Sequence, residues 1–148
     1  MNNIGYLLMK VSKDLRYALT KQLTQYGLTT SQWAVLKRLE LEEDRNSSLT
    51  KRTAVEIAAK LELDKPTISG IIQRLTEKEM IRKEQHPKDR RATVLFLTEK
   101  TRTLIPTLNI VSDLVIEDSL KNFTTEEKNT FLLLLIKMDS TISRGEGN

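Results

Sequence analysis

The 148-residue sequence contains no cysteine, a single histidine and few aromatic residues. Without cysteine there are no disulfides, thiolate metal ligands, cysteine nucleophiles or thiol redox sensors. One histidine excludes a multi-histidine metal site. The sequence also has no glycine-rich phosphate loop and no nucleophile with a matched base. We therefore predict a protein that is not an enzyme and that holds no cofactor and no metal.

Long hydrophobic runs are missing as well. The longest uninterrupted apolar stretch, 131–136, has six residues, whereas a membrane-spanning helix needs about 20. The sequence shows no basic region followed by a long apolar region, so we expect no signal peptide. Its composition, 39% hydrophobic and 30% charged residues, is typical of a globular chain. We predict a cytoplasmic protein.

Positive charge is concentrated in the middle of the chain. Residues 50–98 carry 11 basic and 7 acidic side chains, a net charge of +4 that equals the net charge of the whole chain. Residues 99–148 carry a net charge of −2. A basic segment favours a polyanionic partner, although small basic segments are also common on plain solvated surfaces.

Helical patterns occupy the first third of the chain. Apolar residues at helical spacing predict a helix over 4–26, and Gly27 follows it at a position typical of a C-cap. A second helix is expected from Thr29, which can form a capping box with Gln32, to about residue 41. Residues 42–52 are mostly polar and have no apolar period, so we predict a loop there.

Two short helices joined by a tight turn come next. Thr53 and Glu56 predict a capping box for the first helix, and Asp64 caps the second with Pro66 in its first turn. The turn at 61–64 completes a helix-turn-helix pattern. The spacing of apolar residues in the second helix predicts a buried side made of Ile68, Ile71, Ile72 and Leu75.

The remaining pattern predicts a β-hairpin and two longer helices. Strands are expected at 81–86 and 92–97, around a charged tip, because apolar and polar residues alternate there. Helices are expected from residue 99 to about 120 and, after a capping box of Thr124 and Glu127, to about 142. The segment 131–136 is apolar on every side of the last helix, so a second subunit is the simplest cover for it.

The side of the second short helix that faces away from the core suits a DNA major groove. At 100° per residue this side carries Pro66, Gly70, Gln73 and Glu77, flanked by Thr67, Ser69 and Arg74. Apart from the glutamate, these residues are small, polar or cationic. Gly70 would allow the helix backbone to approach the bases closely. Taken alone, this helix is more often an ordinary amphipathic helix.

The hairpin tip supplies the second part of the pattern. Lys88, Arg90 and Arg91 can reach phosphates or a narrow minor groove. We expect Asp89 to hold Arg91 in an ion pair and to leave Arg90 pointing outward. A charged tip alone is usually a solvated turn, but directly after a helix-turn-helix it favours DNA binding.

With these residues the chain resembles the MarR family of bacterial winged helix-turn-helix transcriptional regulators, over roughly residues 4–142. The resemblance rests on the order of elements, on DKPTISGIIQRL at 64–75 followed by EKEMI at 77–81, and on the wing signature DRR that runs on to LFLT at 95–98. It implies a mainly α fold with a small β-hairpin wing, in one domain over 1–148.

The resemblance assigns a role to each part of this domain. Residues 29–98 are implied to form the DNA-binding lobe, in which Lys65 to Arg74 enter the major groove and Lys88 to Arg91 form the wing tip. The helices at 4–26 and 99–142 are implied to form the homodimer interface. The chain departs from the family at Glu79 and Thr101, where members usually have glycine, and in the loop 42–52, which is longer than usual.

The function implied is that of a sequence-specific regulator, a repressor, that binds a roughly palindromic double-stranded DNA operator as a homodimer. A small phenolic or anionic effector would release it. Tyr17, Tyr26 and Trp33 are candidates for an effector pocket, although aromatic residues more often fill core and interface space. Two alternatives stay open: a homodimeric protein-interaction module, and a protein that binds DNA without regard to sequence.

Overall fold

A computed structural model describes residues 3–145. Over this range it forms six α-helices, a 3₁₀ helix and a two-stranded antiparallel sheet, and this confirms the predicted fold class. In chain order the elements are α1 (Ile4–Thr24), α2 (Thr30–Asp44), the 3₁₀ helix (Leu49–Arg52), α3 (Ala54–Lys60), α4 (Lys65–Glu77), β1 (Ile81–His86), β2 (Asp89–Leu97), α5 (Glu99–Ser119) and α6 (Thr125–Gly145). No helix within 3–145 is long and apolar enough to cross a membrane.

The chain separates into two compact units, one up to Ser112 and one from Asp113 onward. The first unit holds the hydrophobic core, to which α1 through α5 and both strands contribute. Its most deeply buried side chains are Leu23, Val35, Leu36, Leu39, Ile57, Leu75, Ile81, Leu95, Leu97 and Leu108. Because every element of the helix-turn-helix and the hairpin supplies a member of this cluster, the cluster fixes their relative positions.

The junction of α1 and α2 follows the predicted pattern. Gly27 adopts a left-handed backbone with φ +70, a conformation that glycine reaches without steric cost. The Thr29 hydroxyl accepts the Gln32 backbone N–H at 3.1 Å, and the Gln32 side chain accepts the Thr29 N–H at 3.3 Å. The predicted capping box is therefore confirmed.

The predicted loop at 42–52 is wrong at both ends. Helix α2 continues to Asp44, and Leu49–Arg52 forms the 3₁₀ helix. Glu43, in the last turn of α2, accepts hydrogen bonds from Arg102 of α5 at 3.0 and 3.1 Å and from the Leu97 N–H at 3.3 Å. These partners lie far away in sequence, so apolar periodicity could not reveal that the helix continues.

The second unit consists of the end of α5 and the whole of α6. The Thr124 hydroxyl accepts the Glu127 N–H at 3.1 Å while the Glu127 carboxylate accepts the Thr124 N–H at 2.9 Å, which confirms the capping box predicted for this helix. Phe123 and Phe131 meet edge to face with ring centroids 5.8 Å apart. Helix α6 runs to Gly145, slightly beyond its predicted end.

Candidate nucleic-acid interface

Helix α4 begins at a side-chain cap. Asp64 has an extended backbone, and its Oδ1 accepts the Thr67 N–H at 2.8 Å. Hydrogen bonds from Thr67 hold the pKa of the Asp64 carboxyl below its ordinary value, because they favour the charged form. Pro66 lies in the first turn, where its missing N–H leaves no bond unmade. The start of this helix is thus confirmed as predicted.

The two sides of α4 have opposite environments. Ile68, Ile71, Ile72 and Leu75 are all buried in the core, as the spacing predicts. On the outer side, Lys65, Pro66, Thr67, Ser69, Gln73 and Arg74 are exposed. Together with Gly70 we call these seven residues the contact face. All seven residues lie on the side of α4 that does not pack against the hydrophobic core.

Gly70 lies half-buried in the middle of the contact face. A Cβ added at this position would meet no atom within 4 Å, so the protein's own packing does not require glycine here. Glycine in a helix interior costs about 0.5–1 kcal/mol relative to alanine. A residue that weakens the helix without serving the fold is consistent with close approach of an external molecule.

Helix α3 begins at a side-chain cap. The Thr53 hydroxyl accepts the Glu56 N–H at 3.3 Å, so one half of the predicted capping box is present.

The turn between α3 and α4 is tight and contains a strained residue. Glu62 adopts a left-handed backbone with φ +55, and the Leu63 N–H donates to the Ala58 carbonyl at 2.9 Å. These features place the two helices as a helix-turn-helix.

The hairpin is more tightly closed than the sequence predicts. β2 begins at Asp89 rather than at residue 92, and His86 pairs with Asp89 while Gln85 pairs with Thr93. The register therefore shifts, and residues 90–92 lie in an irregular stretch of β2. The Gln85 side chain donates to the Arg90 carbonyl at 3.0 Å across this shift. Alternation alone does not predict such a bulge, because extra residues in one strand interrupt the pairing.

The predicted ion pair between Asp89 and Arg91 is wrong. Within residues 3–145 no salt bridge joins the two side chains; instead, Asp89 Oδ1 accepts the backbone N–H of Arg91 at 3.0 Å. A short acidic side chain readily makes this local turn bond. Lys88, Arg90 and Arg91 are all exposed, so both arginine side chains can reach outward rather than one.

The hairpin is attached to the segment before α3. Thr53 and Val94 form an isolated antiparallel bridge. His86 Nε2 lies 3.3 Å from the Thr50 hydroxyl, and His86 Nδ1 accepts the Lys88 backbone N–H at 3.1 Å. The single histidine therefore takes part in closing the turn and in joining the hairpin to the 3₁₀ helix.

Lys78, at the C-terminal end of α4, lies outside the predicted contact set. Its ammonium group donates to the Gly27 carbonyl and, at 3.2 Å, to the Gln32 side chain, while Lys100 donates to the Lys78 carbonyl at 2.9 Å. These bonds tie the end of α4 to the α1–α2 junction and to α5. A cation at a helix C-terminus is favourable. The position of Lys78 at the end of a predicted helix is therefore the one sequence signal that could have indicated its role.

The two positions where the family usually has glycine behave differently. Glu79 has φ +58, so a non-glycine residue occupies a backbone conformation that favours glycine. Thr101 is fully buried, and its hydroxyl donates to the Met80 carbonyl at 2.6 Å. At Glu79 the chain keeps the backbone turn that favours glycine, and the glutamate is strained there. At Thr101 a larger residue takes the place of glycine, and its hydroxyl makes a hydrogen bond in the core.

The three aromatic residues considered for an effector pocket have different surroundings. Tyr26 and Trp33 are partly buried and pack against the hydrophobic core. Tyr17 is 63% exposed, with the Lys21 ammonium 4.8 Å from its ring centroid. The positions of Tyr26 and Trp33 agree with the alternative that they fill core space.

Helix α6 presents a second surface that needs explanation. Its apolar segment 131–136 is 38–67% exposed, and no residue of α6 within the described chain is buried. An exposed stretch of six large apolar residues is costly in water and is typical of interaction surfaces.

A helix pair joined by a tight turn, an outward polar helix face and an adjoining basic hairpin define a winged helix-turn-helix protein. The comparisons with known proteins agree. A model of the MarR family matches residues 26–92. The transcriptional regulator MgrA of Staphylococcus aureus is 32% identical over 118 residues, which are 79% of this chain and 76% of that protein. The chain belongs to the MarR family of transcriptional regulators.

Solved structures show the same fold. A MepR–DNA complex of S. aureus matches with a TM-score of 0.79 at 22% identity, over 95% of this chain and 99% of that one. A mutant MarR of E. coli complexed with operator DNA matches with a TM-score of 0.74 at 22% identity, over 91% and 92% of the two chains. As a member of this family, the protein is a DNA-binding transcriptional regulator and not an enzyme.

Proposed function

We propose that the protein is a sequence-specific regulator that binds a roughly palindromic operator as a homodimer and represses transcription from it. In this proposal residues 29–98 form the DNA-binding lobe. The contact face of α4 enters the major groove, and Lys88, Arg90 and Arg91 contact phosphates or the adjacent minor groove. Asp89 shapes the wing turn.

The observation that carries the proposal is the two-sided character of α4. Its apolar side is fully used by the core, whereas its contact face is polar, exposed and followed at once by a basic hairpin. A major groove about 12 Å wide accepts one helix, and glutamine and arginine side chains can read base edges there. Phosphate contacts from the wing would then set the register of the helix on the duplex.

The exposed segment 131–136 supports the homodimer. In the proposal the helices at 4–26 and 99–142 form the interface, and a second copy covers this segment. Two-fold symmetry would then place two α4 helices in successive major grooves about 10 bp apart, so the operator should be roughly palindromic. A DNA-binding regulator of this bacterial family acts on the chromosome, so we extend the proposal to a cytoplasmic location.

The proposal is tested by selecting bound duplexes from a random pool. The affinity of the selected duplexes is then measured as a function of salt concentration. We expect one palindromic motif whose affinity at physiological salt exceeds that of random duplex by about 10³ or more. Equal binding of all duplexes would instead indicate sequence-independent binding, and no binding would favour the protein-interaction module. Repression is measured by placing the motif in a reporter promoter, where expression should fall.

The variant Arg90→Ala tests the wing within the same assay. We expect weaker binding to every duplex and a salt slope that is smaller by about 1, because one phosphate or groove contact is lost. Arg82→Ala is a matched control, since Arg82 is an exposed arginine of the same hairpin that binds Glu84 and stacks on Phe96. Release by a phenolic or anionic effector stays a prediction, to be tested by repeating the selection with such compounds present.

A further inference from the structure

A hydrogen bond biases the side-chain amide of Gln73 toward one orientation. Gln73 Nε2 donates a hydrogen bond to Glu77 Oε1 at 3.2 Å, one helical turn further along α4. An ionised carboxylate can only accept hydrogen bonds. Gln73 must therefore turn its nitrogen, and not its oxygen, toward Glu77, which settles an amide orientation that distance alone would leave open.

Glu77 is otherwise unfavourably placed. It is the last residue of α4, where the negative end of the helix dipole opposes a carboxylate. It is exposed on the same side of the helix as Gln73, and no salt bridge within the described chain neutralises it. A carboxylate there repels the phosphates of an approaching duplex. The bond to Gln73 is the contact that the structure gives it.

We propose that Glu77 is a positioning residue for base recognition, which turns the Gln73 amide so that its Oε1 and its second N–H face the major groove and select adenine. Adenine offers an N6 donor and an N7 acceptor side by side, and this pair complements the two remaining groups of the amide. The inference rests on the proposed function, because it assumes that Gln73 reads a base.

The expected size of the effect follows from the freedom that the bond removes. An exposed pair at this spacing biases the side chain by about 0.2–0.5 kcal/mol in water, which corresponds to about twofold at 25 °C. Full immobilisation of a glutamine side chain corresponds to about tenfold. Loss of the bond should therefore reduce the preference for adenine by about two- to tenfold and leave the other positions of the operator unchanged.

The experiment measures binding to a panel of operators that carry each of the four bases at the position read by Gln73. Glu77→Ala removes both the acceptor and the charge, whereas Glu77→Gln removes the charge but retains a carbonyl acceptor. Glu79→Gln is the matched control, because it removes the same charge two residues away without touching Gln73. Gln73→Ala defines the position and the full size of the base preference.

Support for the proposal is a reduced adenine preference in Glu77→Ala, rescue in Glu77→Gln and an unchanged base ranking in Glu79→Gln. In the Gln73→Ala background, Glu77→Ala should change nothing further in the ranking. An adenine preference in Glu77→Ala as large as in the wild type, or equal losses in the Ala and Gln variants, would overturn it. A wild-type protein that selects no motif would overturn the proposed function itself.

Discussion

Helices α4 and α6 distribute their apolar residues in opposite ways. In α4 the apolar side chains form one stripe, and Leu75 at its centre is 0% exposed. In α6 they occur on every side, and Leu133 is 67% exposed. A striped helix is satisfied by its own chain, whereas a helix that is apolar all round needs more neighbours than one small chain supplies.

This difference separates stability that comes from packing within one chain from stability that comes from association with a partner. Burial of a leucine contributes about 1.5–3 kcal/mol, and for α4 that free energy is available at any protein concentration. For α6 it becomes available only when a partner covers the helix, so it depends on the concentration of that partner. Four substitutions of decreasing expected effect test the contrast.

Leu75→Ala should have the largest effect. Truncation of a fully buried leucine should lower the free energy of unfolding by about 2–5 kcal/mol, because a cavity is left in the core. Urea unfolding followed by circular dichroism measures it, and the loss should be the same at low and high protein concentration. A loss that depends on concentration would contradict the view that α4 is complete within one chain.

Leu133→Ser should act on association instead. If a second copy covers this side chain, its loss should weaken the dimer by about 1.5–3 kcal/mol per buried leucine, a tenfold or greater rise in the dissociation constant seen by sedimentation. Val55→Ser is the matched control, since Val55 is an apolar residue on α3 that is 75% exposed, compared with 67% for Leu133. Equal behaviour of the two variants would remove α6 from the interface.

Gly70→Ala should separate the fold from the function on α4 itself. Because a Cβ has open space there, the fold should gain about 0.5–1 kcal/mol in unfolding free energy. DNA affinity should nevertheless fall, because the added methyl group keeps the helix backbone from the bases. A stabilised variant with unchanged operator affinity would show that close approach at Gly70 is not used.

Glu79→Gly should have the smallest effect. Relief of the left-handed backbone at φ +58 should raise the free energy of unfolding by about 0.5 kcal/mol, with operator affinity unchanged. Glu56→Gly, within α3 and not strained, serves as control and should destabilise by about as much. Thermal unfolding of both variants decides whether the turn after α4 stores strain.

Local signals made much of α4 predictable from the sequence. The cap at Asp64, the proline after it and the spacing of four apolar residues are all short-range features, and the structure confirms each. The features that the sequence missed depend on partners far along the chain or on side-chain to backbone bonds. The last turn of α2 is held by Arg102, and Asp89 bonds a backbone N–H where a charge pair was expected.

Thr101 shows the same limit within the core. A glycine is expected at this position from the family, yet a threonine fits because the Met80 carbonyl accepts its hydroxyl. No pattern of neighbouring residues reports such a match, since the two groups are 21 positions apart. Long-range complementarity of this kind is visible only once the chain is folded.

Thr53, which caps α3 and pairs with Val94, has a consequence for how such chains can vary in length. Because this buried residue joins the start of the helix pair directly to β2, it helps the core cluster to set the angle between them. Exposed chain on the N-terminal side of it, around Asn46, can gain or lose residues at little thermodynamic cost. Insertions there would make this surface loop longer. The distance between α4 and the wing, and so their placement on a DNA duplex, would stay the same.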